Sequence, residues 1–281
     1  MDGETTTVSG ERSGLAARAL IGAGRAVLDL LRAKALWLGL GLLGLWEGLG
    51  RTGLIDAFVI PVPSVVFETF VERLLDGSLF VDVGHSVKRV MVGYLLGIAV
   101  GLSLGAVLGW IKPLAEAMVP LVETLRPIPP IAWTPIAVLW FGIGDTPAYF
   151  ICFIGSVFPI FVNTFAGVRG VETTHVNAAR VLGATRWMLI SRILVPSAMP
   201  MIMTGLRVGL GVAWICVVAA ELIAARSGLG YMIEWNRQLL RTDVVLVGMI
   251  SIGLCGLAST SLVYWLERLL LPWRRDTVIH G

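Results

Sequence analysis

Long apolar runs alternate with short polar stretches along this chain. Six runs approach the roughly 20 mostly apolar residues that a bilayer crossing requires: 35–50, 87–111, 117–142, 147–168, 198–222 and 244–266. Their apolar positions are continuous and do not alternate, so they read as helices and not as strands of an outer-membrane barrel. The expected fold is all-α, a polytopic membrane protein with six transmembrane helices. Two runs depart from a plain helix. The first is short and carries Glu47. The third holds Arg126 and five prolines, Pro120, Pro127, Pro129, Pro130 and Pro135. Proline removes an amide donor and its ring clashes with the preceding turn, so this run is expected to break. Broken backbone at membrane depth is tolerated only against protein or a water-filled cavity.

The polar stretches divide the chain further. Residues 1–34 are polar to amphipathic, with Leu20, Val27, Leu28 and Leu31 at helical spacing. They lack the basic, apolar and small-residue order of a cleaved signal. They read as a cytoplasmic tail with an amphipathic helix along the membrane surface. A transmembrane domain over 35–270 and a cytoplasmic tail over 271–281 follow. Between the first two runs, Pro61-Val62-Pro63-Ser64 precedes VVFETFVERLL. Ser64 is the expected N-cap, with Glu68 in the following turn, and Asp76-Gly77 the expected stop. Between the fourth and fifth runs, 169–196 is the longest internal polar loop. It has apolar positions of its own, and Gly183 separates two short helices there, a position suited to φ > 0.

Composition narrows the class. The chain of 281 residues is 56% hydrophobic and only 15% charged, with a mean hydropathy of +0.84. Soluble domains carry about 25% charged residues, so too few ionic groups remain to solvate a globular surface. Most of the 22 Lys and Arg fall in loops on the N-terminal side of the membrane, which places both termini in the cytoplasm. Trp110 and Trp273 suit interfacial anchors. Cys152, Cys216 and Cys255 lie singly in apolar runs, and His85, His175 and His280 are scattered. No metal or redox centre is expected from them. No GxxxxGK[ST] occurs, so the chain has no ATPase site of that kind.

One spacing carries more. Asn177-Ala178-Ala179 is followed after three residues by Gly183, after nine by Ile193, and then by Val195 and Pro196. This resembles the EAA loop of ABC importer permeases, E-A-A-x3-G-x9-I-x-L-P, with Asn177 in place of Glu and Val195 in place of Leu. Three further stretches are similar to permeases for nitrate, bicarbonate, sulfonates, taurine or cyanate. They are Arg126-Pro-Ile-Pro-Pro-Ile-Ala-Trp133-Thr-Pro135 with Leu139-Trp-Phe-Gly142, Ser86-Val-Lys-Arg89-Val-Met-Val-Gly93, and Glu221-Leu-Ile-Ala-Ala-Arg-Ser-Gly228-Leu-Gly230. The resemblance spans about 58–270.

It implies the type I importer permease architecture in the cell inner membrane, without enzymatic activity of its own. The loop 169–196 would be the coupling element that docks on a separate ABC ATPase, through Asn177, Ala178, Ala179, Gly183, Arg186 and Pro196. ATP would be bound by that partner, and this chain would hold no cofactor. A periplasmic or lipid-anchored solute-binding protein would deliver a small oxyanion. A second permease copy would complete the path, most simply as a homodimer. Arg126, Trp133 and Arg207 are the expected path residues. Two of the charges admit alternatives: Arg126 could pair with Glu123 or reach the cytoplasmic interface, and Glu221 could lie at an interface or pair with Arg226. The competing function is an autonomous ion-gradient-driven carrier or channel, which calls for inverted repeats and mid-membrane carboxylates. The sequence shows no convincing repeat and few such carboxylates.

Overall fold

The computed structural model describes residues 34, 37–54, 56 and 59–272. The expected helix of the N-terminal tail and the C-terminal tail beyond residue 272 lie outside the described residues. The chain divides into two compact units, up to Val66 and from Phe67 onward.

In the first unit, helix α1 occupies 37–51. Its Glu47 carboxylate accepts from Arg51 Nε at 2.6 Å, from the Ser64 amide at 3.0 Å and from Ser64 Oγ at 2.8 Å. Helix α2, Pro63–Leu75, begins two residues before the expected start. The amides of Val65 and Val66 already donate to the Val62 carbonyl, so Ser64 lies within the first turn and is not the cap. Pro63 takes the first helical position, where its missing N–H costs nothing. Glu47 fills the Ser64 donor that the expected cap would have left open.

The stop after α2 is where the sequence places it. Asp76 Oδ1 accepts the Ser78 amide at 2.8 Å, and Gly77 has φ +79°. That amide bond also holds the Asp76 carboxyl below its ordinary range.

Four of the following helices are long and apolar enough to cross a bilayer: α3 (Ser78–Trp110), α6 (Asp145–Arg169), α9 (Val195–Ala224) and α11 (Thr242–Leu270). The third apolar run is broken, as its prolines require. It forms α4 (Lys112–Leu125), a single tight turn (Pro130–Trp133) and α5 (Thr134–Phe141). Between α6 and α9 lie α7 (Thr173–Val181) and the one-turn α8 (Arg186–Leu189). A wide turn, Ile190–Leu194, joins α8 directly to α9. Pro196 lies in the first turn of α9. It has no N–H for the Arg192 carbonyl, and the helix accommodates this by widening. Helix α10 (Leu229–Gln238) lies in a stretch read from sequence only as a loop. On it Arg237 hydrogen-bonds Glu234 and draws that carboxyl down to about 2.

Helices α3, α6 and α9 pack along their lengths. Gly93, Gly97, Gly101, Gly105 and Gly109 recur every fourth residue on α3 and face α6. A Cβ at Gly101 would lie 2.8 Å from the Val157 carbonyl oxygen, and one at Gly105 would lie 2.7 Å from Thr164 Cβ. Helix α9 answers with Gly205, whose added Cβ would lie 2.8 Å from Asn163 Cβ. In lipid no hydrophobic drive separates helix–helix from helix–lipid contact, so close packing of small residues holds helices together. Ile151, Cys152, Ile160, Leu210, Ala213 and Val217 fill the core between them.

Gly101→Leu is expected to lower the melting temperature of the purified protein, by overpacking worth about 1–3 kcal/mol. Gly253 of α11 has nothing within 4 Å of an added Cβ. Gly253→Ala is expected to be neutral or stabilising, by up to ~1 kcal/mol. Equal destabilisation by the two changes would contradict this packing.

Candidate functional site

At the start of α3 and α6 and the end of α9, a buried ionic cluster ties the three helices together. Arg89 of α3 and Glu221 of α9 are each 1% exposed. Arg89 Nε and Nη2 donate to Asp145 Oδ1 of α6 at 2.9 and 2.7 Å. Nη1 donates to Glu221 Oε1 at 2.7 Å and to the Ser227 carbonyl at 2.6 Å, and Nη2 to Ser227 Oγ at 2.8 Å. All five N–H donors of the guanidinium are thereby used. Glu221 also accepts from Ser86 Oγ at 2.9 Å and from the Gly230 amide at 2.8 Å, while the Leu229 amide donates to Ser86 Oγ at 2.8 Å. The α9–α10 connection must pass this close. Gly228 has φ +101°, and a Cβ there would lie 2.7 Å from Arg89 Nη1.

The stretches 86–93 and 221–230, each singled out in the sequence, are thus two halves of one cluster. Glu221 pairs with Arg89 and not with Arg226. Arg89 lies at the edge of the second apolar run, and the helix that carries it begins earlier, at Ser78. Asp145 drew no attention: nothing local in the sequence marks a partner 56 residues from Arg89.

Arg126 is placed differently. It ends α4, which at 14 residues is about 21 Å long. It lines a cavity of about 270 Å3 together with Ile128, Pro130, Phe158, Val162 and Asn163, and with Val208 and Val212 of α9. These positions are near the middles of α6 and α9, so Arg126 lies beside the mid-length of those two helices. Pro159, inside α6, borders the same cavity and cannot donate to the Gly155 carbonyl beside it. Asn163 Nδ2 donates to the Pro159 carbonyl at 2.9 Å. Among the described residues Arg126 forms no ion pair, with Glu123 or any other carboxylate.

The other two expected path residues lie elsewhere. Trp133 is half-buried and packs on the α3–α6–α9 core. Arg207 pairs with Glu267 of α11 and lies over the Tyr264 ring, 5.4 Å from its centre.

In the 169–196 loop, α7 ends in a Schellman turn. The Ala184 amide donates to Ala179 O and the Gly183 amide to Arg180 O, both at 3.0 Å, with Gly183 at φ +81°. The Gly183 spacing is thus a helix stop. Thr185 Oγ1 caps the next turn by accepting the Met188 amide. Asn177, Ala178 and Arg186 are exposed, Ala179 is half-buried, and Asn177 and Arg186 line a common cavity with Arg180 and Leu194. Pro196 is half-buried in α9. Val181, Leu182 and Trp187 are 87%, 86% and 74% exposed. Val181 and Leu182 are among the apolar positions that the sequence gives this loop; Trp187 was not among them.

Comparison with known proteins gives a consistent answer. The family model described as binding-protein-dependent transport system inner membrane component matches residues 93–276. The taurine transport system permease protein TauC of Escherichia coli is 34% identical over 228 residues, covering 79% of this chain and 83% of TauC. The nitrate import permease protein NrtB of Synechococcus elongatus is 38% identical over 218 residues, covering 76% of this chain and 78% of NrtB. An inward-facing structure of the MetNI methionine ABC transporter shares the fold. Its TM-score is 0.53 at 21% identity, over 67% of this chain and 97% of that one.

Arg89→Gln leaves the buried Glu221 without its cation and Asp145 with Lys88 alone. It is expected to destabilise the purified protein by about 3–5 kcal/mol, the cost of breaking a buried pair. Lys88, 60% exposed and 3.4 Å from the same Asp145, is the control. Lys88→Gln is expected to cost at most ~1 kcal/mol. Similar unfolding midpoints for the two variants would contradict the role given to Arg89.

Proposed function

The chain belongs to the family of binding-protein-dependent transport system inner membrane components, and from that premise we propose that it forms the translocation path of an ABC importer for a small oxyanion. As a member of that family it is a multi-pass membrane transport subunit and not an enzyme. The observation that carries the substrate reading is Arg126. It is a cation beside the mid-length of α6 and α9, without an ion pair among the described residues, on a cavity bordered by broken backbone. A positive charge beside the path lowers the cost of moving an anion through low dielectric.

The remaining assignments follow from this reading. The loop 169–196 couples the path to a separate ATPase, which binds the ATP. Val181, Leu182 and Trp187 supply the apolar contact, since exposed apolar groups clustered in this way mark interaction surfaces. Asn177 brings no charge to that contact, so its ionic part falls to Arg180 and Arg186. A solute-binding protein delivers the substrate from outside, two copies of the chain face each other across the path, and both termini are cytoplasmic. The buried carboxylates favour this reading over a gradient-driven carrier. Glu221 and Glu267 are bound to arginines, so neither is arranged to bind a coupling ion.

Arg126→Gln is expected to reduce transport about tenfold or more, as losing ~1.4 kcal/mol of barrier stabilisation would. The assembled complex should be retained, and Arg126→Lys should keep part of the activity. Solute uptake and co-purification of the ATPase measure the two. If Arg126→Gln instead loses the complex, and adding Glu123→Gln restores it, Arg126 is a structural partner and the path reading fails.

A further inference from the structure

A second cavity, of about 750 Å3, lies between the loop 169–196 and the ends of three spanning helices. Trp110 is the last residue of α3, Val168 the last but one of α6, and Leu194 leads into α9. These three form an apolar floor, and Asn177, Arg180 and Arg186 stand on the same cavity. No carboxylate lines it, and neither arginine forms an ion pair among the described residues. We propose that this cavity binds an anionic phospholipid of the cytoplasmic leaflet. The phosphodiester sits on Arg180 and Arg186, and the upper part of an acyl chain lies on Trp110, Val168 and Leu194.

Depth, charge and the facing of α7 point to a lipid. The apolar part of α3, from Val90 to Trp110, rises about 30 Å, which is roughly the thickness of the hydrocarbon layer. Trp110 therefore ends at head-group level, where Trp is favoured. Two guanidiniums in open water need no partner, but these two overlook a floor that water wets poorly. An amphiphile satisfies both parts. Its phosphodiester takes charge-assisted hydrogen bonds from the guanidiniums, and its chain covers the floor. A free phosphate would leave that floor bare. Basic pockets at the cytoplasmic ends of spanning helices suit such head groups. On α7 the cavity takes Val176, Asn177 and Arg180, while Ala178, Val181 and Leu182 fall on the other side of the helix. The ATPase contact proposed for Val181 and Leu182 thus leaves the cavity side to the lipid. Each guanidinium carries five N–H donors, enough to serve a phosphodiester and a carboxylate of the ATPase together. The inference rests on the proposed cytoplasmic placement of this loop, and its test reads lipid and ATPase separately.

The full chain, alone and assembled with its ATPase, is delipidated in neutral detergent and titrated with phosphatidylglycerol or phosphatidylcholine. Bound lipid is counted by native mass spectrometry. Wild type is expected to retain phosphatidylglycerol over phosphatidylcholine by about tenfold or more in both states. Arg180→Gln and Arg186→Gln are each expected to weaken that retention about fivefold, the worth of one cation at an anionic head group. Arg180→Lys and Arg186→Lys should keep most of it. Ala184→Phe, which fills the cavity with both charges in place, should also reduce it. Arg192 is exposed on the same loop but does not line the cavity, and Arg192→Gln should leave retention unchanged. An equal loss in Arg192→Gln would mean general attraction to a basic loop and overturns the inference. So does displacement of phosphatidylglycerol by inorganic phosphate at the same concentration, or its loss when the ATPase docks. Co-purification of the ATPase with the variant carrying both Arg180→Gln and Arg186→Gln separates the two readings. Loss of the lipid with the ATPase retained supports the inference. Loss of the ATPase with the lipid retained assigns both arginines to the coupling contact alone and overturns it.

Discussion

A buried guanidinium is the constraint on which this structure depends. Arg89 cannot be desolvated unless its charge is matched and every donor filled, since a charge left unpaired in an apolar interior costs several kcal/mol. Meeting that condition requires a carboxylate from α6, another from α9 and the backbone and hydroxyl of Ser227 at once. Three segments far apart in the chain, around residues 89, 145 and 221–227, are therefore held in one geometry. Gly228 and Gly230 follow from the same demand: at both, a Cβ would collide with Glu221 or its partner. The glycine contacts of α3 continue the fastening down the helices, so α3, α6 and α9 form a frame locked by charge at one end and by close packing along its length.

The arginines within the membrane-embedded region divide by how they are matched. Arg89 is enclosed and Arg207 is engaged by Glu267 and Tyr264, and both join helices. Helix α11 is further tied to α9 by the Trp214 indole, which donates to Ser259 Oγ at 2.8 Å. Arg126 stands apart, carried by a segment whose prolines prevent a regular helix and exposed toward the middle of the locked frame. A cation at that depth needs either a partner or water. With no ion pair among the described residues, Arg126 presents its charge to the cavity that it lines with Asn163. On the proposed path role, rigid helices set the wall of the cavity and the broken segment presents the charge to it.

Much of this was legible in the sequence where the signal is local. The long apolar runs gave the spanning helices, though their polar first turns moved the observed starts outward, as with Ser78 before Val87. Five prolines announced the break in the third run. Gly183 announced a helix stop, because the Schellman turn needs φ > 0 at one fixed position. What escaped was non-local. The Arg89–Glu221 pair joins residues 132 apart, and each half alone looks like an ordinary charge near a span end. Ser64 was read as a cap because the competing acceptor, Glu47, lies 17 residues away. Helix α10 escaped for a different reason: its apolar residues are too few for a span and are interrupted by charge. Arg126 could be found in the sequence, but the wetness of its surroundings depends on α6 and α9.

The central claim is that the cavity beside Arg126 is filled with water and carries a positive field. Its most direct test places a single cysteine on the opposite wall. In a background with Cys152, Cys216 and Cys255 replaced, Asn163→Cys is treated with anionic and cationic methanethiosulfonate reagents of similar size, and the two rates are compared with and without Arg126→Gln. The account predicts that Cys at position 163 reacts, that the anionic reagent is the faster, and that its advantage disappears when Arg126 is neutralised. A cysteine that does not react, or an anion preference unchanged by removing Arg126, would contradict it.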